Sequence, residues 1–107
     1  MSDRELLEWA ARAEGSADAF VEYVPERYPG REGILCRNRY IWNPIIDDGD
    51  RFRLARKLDM VIDFKNCVVN GVFEWTPGNA MEEAYAFVRA AAEIGKHSAP
   101  SDSGREG

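Results

Sequence analysis

Trp42-Asn43-Pro44-Ile45-Ile46-Asp47-Asp48-Gly49-Asp50-Arg51-Phe52-Arg53-Leu54-Ala55-Arg56-Lys57-Leu58 holds a strand end, a stop and a helix start in one short run. Pro44 has no N–H to give a β-ladder, and the residue before a proline is pushed away from helical geometry. Asp47 is a good N-cap, and Asp48 and Asp50 put negative charge at the positive end of the helix dipole. Phe52, Leu54, Ala55 and Leu58 supply the apolar side of this helix. Arg51, Arg53, Arg56 and Lys57 supply a basic side. A strand that stops and a helix that starts at once make the chain α+β.

Upstream, Ile34 to Trp42 reads as a strand. Ile34, Cys36, Tyr40 and Trp42 interleave with Arg37, Asn38 and Arg39, which leaves one face wet. Pro25 to Gly33 has two prolines and two glycines and is expected as a loop. Residues 17–24, with Phe20, Val21, Tyr23 and Val24, favour a strand. Ser2 and Glu5 have capping-box spacing, and Leu6, Leu7, Ala10, Ala11 and Ala13 follow at helical spacing. Trp9 falls at the margin of that stripe. Gly15 suits a left-handed helix end, so the first helix is expected over about residues 3–14.

Downstream, residues 60–75 read as strand, either one long hairpin or three short strands. Asn70-Gly71 is the strongest hairpin signal, since both residues tolerate positive φ, and Lys65-Asn66 is a weaker competing turn. Asn79, with Glu82 three residues on, is expected to cap a third helix. Met81, Ala84, Tyr85, Val88, Ala91 and Ala92 follow its period. Gly95 is expected to close that helix. Residues 97–107 hold Ser, Pro, Gly and charge, the composition of a disordered tail. The expectation is a single small domain over 1–96. It has three helices flanking an antiparallel or mixed sheet of about four strands.

The chain has 107 residues, enough to bury a core without a metal or disulfide staple. No apolar run approaches the length of a membrane span, and the first residues lack the pattern of an export signal. The net charge of −5 argues against general nucleic-acid affinity. That charge is uneven. Residues 1–26 carry two arginines against seven carboxylates, while residues 37–57 carry five arginines and one lysine against Asp47, Asp48 and Asp50. Cys36 and Cys67 lie among apolar residues and read as buried free thiols, with a disulfide or a reactive thiol as the alternatives.

No catalytic set assembles. His97 is the only histidine and stands at the start of the expected tail, where it cannot serve a cysteine or serine nucleophile. Asp47-Asp48-Gly49-Asp50 matches a calcium loop only in part, and no glutamate follows at the required distance, so helix capping accounts for it. No phosphate-cradling glycine motif is present, and neither a cofactor nor a metal is expected.

The Trp42-Asn43-Pro44 and Asp47-Asp48-Gly49-Asp50 runs, followed by Arg53-Leu54-Ala55-Arg56-Lys57-Leu58, resemble the phage ABA sandwich domain, a family of small bacteriophage and prophage proteins. Asp3-Arg4-Glu5-Leu6-Leu7 and Arg89-Ala90-Ala91-Ala92-Glu93-Ile94-Gly95-Lys96 are similar to the family's two ends. Asp59 departs from the glycine usual after the Lys-Leu pair, residues 16–33 have no match, and 60–80 match only loosely. The resemblance implies an α/β/α sandwich and a phage origin. It implies no activity, since no family site residues carry over.

Three functions stay open. The first is a non-enzymatic phage or prophage accessory protein, in the host bacterial cytoplasm, that binds a bacterial host or defence-system protein. Counter-defence proteins such as anti-CRISPR inhibitors share this small, acidic profile by analogy. Its candidate contacts are Glu22, Tyr23, Glu26 and Tyr28. The second is a small-ligand or nucleotide-binding domain using Arg37, Arg39, Arg51, Arg53 and Arg56 as an anion site. The third is a homo-oligomeric structural module.

Overall fold

The computed structural model describes residues 2–15, 20–28, 31–37 and 39–97. The elements run α1 (Asp3–Glu14), β1 (Phe20–Tyr28), β2 (Arg31–Cys36), β3 (Ile41–Trp42), α2 (Asp48–Lys57), β4 (Ile62–Asp63), β5 (Val68–Val69), β6 (Phe73–Glu74) and α3 (Ala80–His97).

Helix α1 begins in the expected capping box. The Glu5 N–H donates to Ser2 Oγ at 3.2 Å, and the Ser2 N–H donates to the Glu5 carboxylate at 3.0 Å. Gly15 ends the helix in left-handed geometry at φ 87°. Leu6, Leu7, Ala10 and Ala11 are buried on its inner face.

Among the described residues the strands form two antiparallel three-stranded sheets, β1-β2-β3 and β4-β5-β6. The single sheet of about four strands is therefore not what forms. The physical reason is local. Each meander closes through its own turns, and Asn43-Pro44 and α2 separate the two in the chain.

The first sheet departs from the sequence reading twice. Strand β1 continues through Pro25, where a loop was expected, because the β1–β2 register shifts between Val24 and Tyr28. Pro25 falls inside that irregular stretch, so its missing N–H is lost from no regular rung. The expected single strand 34–42 is two strands. The chain reverses after Cys36, whose N–H donates to the Tyr40 carbonyl at 2.9 Å, with Arg39 at φ 69°. Ile34 then pairs Trp42 and Leu35 pairs Ile41.

The second sheet resolves the 60–75 region into three short strands. Asn70 and Gly71, at φ 52° and 71°, make the expected turn, closed by the Val72 N–H on the Val69 carbonyl at 3.0 Å. The competing turn at Lys65-Asn66 is used as well, with Asp63 accepting from the Asn66 N–H at 3.0 Å.

Helix α3 carries most of the packing. Asn79 Oδ1 accepts from the Glu82 N–H at 3.0 Å. The Glu82 carboxylate, expected on the cap residue, instead takes the Thr76 N–H at 2.8 Å. Gly95 is not the helix end. It lies inside α3, buried against α1, where a Cβ would stand 2.1 Å from the Trp9 carbonyl oxygen. The helix runs on to His97, and residues 98–107, most of the expected tail, lie outside the described residues.

Two apolar clusters result. Leu6, Leu7 and Ala10 of α1 meet Ile34, Trp42, Leu54 and Val88, while Val69 and Trp75 meet Ala55, Phe87 and Ala90. Trp42 and Trp75 thus fill different clusters, and Trp9 packs at the edge of the first. No helix among the described residues is long and apolar enough to cross a membrane.

Candidate functional site

Helix α2 starts as expected, with the Asp50 N–H on Asp47 Oδ1 at 3.0 Å. Asp59 takes the left-handed position after the helix at φ 52°, a conformation aspartate tolerates better than most residues.

Asp50 does more than charge the helix dipole. It is 1% exposed and accepts from the Tyr40 hydroxyl at 2.5 Å, the Asn43 N–H at 2.9 Å and Arg53 at 2.9 Å. Asn43 is buried beside it, with its amide donating to the Glu32 carbonyl at 2.7 Å and its Oδ1 accepting from the Ile45 N–H at 2.9 Å. The stop signal and the helix start are thus one hydrogen-bonded corner. Burial, then the bond to Asp50, pushes the Tyr40 hydroxyl up to about 12.

The basic residues divide. Arg51 is buried at 7% exposure. It donates to the carbonyls of Pro44 and Ile45 at 3.0 and 3.2 Å and pairs with Asp48. Its guanidinium lies 5.9 Å from the ring centres of both Phe52 and Phe87. Arg37 and Arg39 are exposed around the β2–β3 reversal, and the bond from Tyr40 to Asp50 brings that turn beside Arg53. Arg56 stands apart on the outer face of α2, exposed. The five arginines do not converge on one anion. At the N-terminus of α2 the field is already met by Asp47, Asp48 and Asp50. No group of three or more His, Cys, Asp or Glu side chains suited to a metal occurs among the described residues.

The expected protein contacts on β1 divide too. Glu22 is exposed. Tyr23 is half-buried against the first apolar cluster, with Arg4 over its ring at 5.7 Å and its hydroxyl on Glu32 at 2.6 Å. That hydrogen bond, aided by burial, pushes the Tyr23 hydroxyl up to about 12. Glu26 and Tyr28 lie on β1, but their side chains fall outside those described. Cys36 and Cys67 are free thiols, half-buried and buried, and burial pushes the Cys36 thiol up.

The most distinctive surface was not among those candidates. Phe52 and Phe64 are 38% and 55% exposed, with ring centres 6.5 Å apart. Beneath them lie Phe87 and Trp75, at 0% and 7% exposure. Phe52 meets Phe87 edge-on at 5.5 Å, and Phe64 meets Trp75 edge-on at 6.1 Å. The Asp63–Asn66 turn presents Phe64. Both Asp63 carboxylate oxygens are engaged by Asn66, which holds that carboxyl below its usual range.

One signal for Phe52 was available. It lies two residues before Leu54, about 200° around the helix from it, off the Leu54–Ala55–Leu58 stripe. Nothing local marked Phe64, whose ring partners are 11, 12 and 23 residues away in the chain. In comparisons with protein-family models, curated proteins and solved structures, nothing matches this chain.

Proposed function

We propose that this chain is a non-enzymatic phage or prophage accessory protein. On this reading it works in the bacterial cytoplasm by binding a host or defence-system protein. The likeness of its Trp-Asn-Pro and Asp-Asp-Gly-Asp runs to the phage ABA sandwich domain supports the setting. One structural observation carries the binding: two exposed phenylalanines are seated on two buried rings. Exposed aromatic side chains with little freedom left to lose are typical energetic centres of protein interfaces. Phe52 and Phe64 have this form, since each ring is braced from beneath and Phe52 also lies against Arg51.

The test is affinity capture from bacterial lysate on the immobilised full chain, beside a Phe64→Ser variant of the same thermal stability. Each captured protein is then purified and tested in a binary binding measurement. The reading requires a protein bound by the wild type and lost with Phe64→Ser. Equal capture by both chains would reject the aromatic face as the docking site. Failure to bind any purified candidate would reject the function.

A further inference from the structure

We infer that the aromatic face of α2 takes a short acidic segment of a partner protein, one that sets an apolar or aromatic side chain beside a carboxylate. This rests on the docking reading above and adds the partner's chemistry to it. On an α-helix, residues four apart are neighbours on one face, which places Arg56 one turn beyond Phe52. Arg56 is exposed, and its guanidinium forms no ion pair with the described residues. Arg53, on the same outward side, keeps its side chain 65% exposed while touching Asp50. The Asp50 side chain is only 1% exposed, so it presents almost no negative surface to a partner. Of the other acids on this stretch, Asp48 pairs with Arg51 one turn before Phe52 and keeps its side chain 79% exposed, and Asp59 is exposed three residues beyond Arg56.

Phe52 and Phe64 thus set two exposed rings beside the two exposed guanidinium groups of Arg53 and Arg56, on a chain whose net charge is −5. Arginine's planar fork matches a carboxylate in two parallel hydrogen bonds, and flanking rings exclude the water that would weaken them. A lysine-rich segment would meet Arg53 and Arg56 as like charges. A nucleic acid would also offer anions. Against it stands the field of the whole acidic chain, which opposes a long polyanion far more than a short acidic segment. The rings themselves are tilted 36° to one another and backed by Phe87 and Trp75, so they leave no slot between them for a base.

Fluorescence anisotropy with the full chain tests this. The probes are a labelled peptide alternating glutamate with phenylalanine and leucine, the same peptide with lysine for glutamate, and a labelled oligothymidylate. The glutamate peptide is expected to bind at least about tenfold tighter than either other probe, and to weaken with added salt. Arg56→Glu, at an exposed helix position that leaves the fold intact, is expected to abolish or reverse the peptide preference. Equal or tighter binding of the lysine peptide would overturn the inference. So would tighter binding of the oligothymidylate, which would mark a nucleic-acid surface, or an Arg56→Glu variant with unchanged preference. Absence of binding by all three probes also overturns it. In that case Phe64-dependent capture of a host protein would still uphold the docking reading, so the two failures are distinguishable.

Discussion

Gly95 of α3 passes the Trp9 carbonyl of α1 so closely that a Cβ would lie 2.1 Å from the oxygen. The contact is backbone against backbone, so no side-chain rotation relieves it. It sets how near the two longest helices approach and hence how Leu7, Ala10, Val88 and Ala91 interlock.

Gly95→Ala should therefore destabilise. In an ordinary helix interior this change stabilises by roughly 1 kcal/mol, because glycine gives up more backbone entropy. Here overpacking should reverse the sign and cost about 1–3 kcal/mol. Thermal and urea unfolding measure it, and a midpoint at or above wild type would show that the helices separate freely.

Asp50 and Asp47 sit three residues apart and should differ in cost. Asp47→Ala removes a helix cap and should cost about 1 kcal/mol. Asp50→Ala leaves the buried Asn43 N–H and the Tyr40 hydroxyl without their acceptor. It should cost about 3 kcal/mol, in the range for breaking a buried charged network. Arg53→Ala, at the exposed end, should cost under about 1 kcal/mol. Denaturant midpoints rank the three, and an Asp47→Ala cost at or above that of Asp50→Ala would refute the corner.

Alkaline stability follows from three tyrosines. Glu32 bonding raises the Tyr23 hydroxyl, and burial first and then Asp50 or Asp3 raise those of Tyr40 and Tyr85, all to about 12 from 10.0. An acid whose folded pKa is raised contributes stability that is complete below its unfolded pKa and is lost as pH rises through the folded value. The melting temperature should thus fall between about pH 10 and 12. Phenolate absorbance should show these three ionising late. Three normal titrations with unchanged stability would contradict the hydrogen bonds.

At the acid end the sign is opposite. Bonds from Ser2, Asn66 and Thr76 hold the carboxyls of Glu5, Asp63 and Glu82 below their usual range. Their contribution is present above the unfolded values and disappears as pH falls through the lowered ones. Glu82→Gln should flatten the acid limb of a melting-temperature profile below about pH 4.5 by lowering the neutral region toward the acid value. An identical acid limb in the variant would remove Glu82 from the account.

The Asn70-Gly71 turn gives a positional contrast. Gly71, at φ 71°, would meet nothing within 4 Å on gaining a Cβ, so Gly71→Ala carries only the left-handed penalty, about 1–2 kcal/mol. Asn70→Ala carries a similar penalty at φ 52° and also loses the bond from the Val61 N–H to Asn70 Oδ1 at 2.8 Å. Asn70→Ala should be the more damaging in a thermal melt, and the reverse order would refute the role of that side chain.

The sequence by itself determined the features whose interactions close within a few residues. The Ser2–Glu5 box set the start of α1, Asp47 the start of α2 and Asn70-Gly71 a turn. In each, a side chain or a permissive φ satisfies a backbone group that is near in the chain. Tertiary structure decided whatever depends on distances between remote segments. Gly95 is compatible with a helix end until α1 is laid across it, and Pro25 breaks a strand until the register shift spares its missing N–H. Asp50 reads as another dipole charge until Tyr40 and Asn43 enclose it. Phe52 and Phe64 become one surface only when the Asp63–Asn66 turn comes against α2 over Phe87. Local hydrogen bonding is set by spacing along the chain, whereas burial and close approach are set by which surfaces the packed elements leave open.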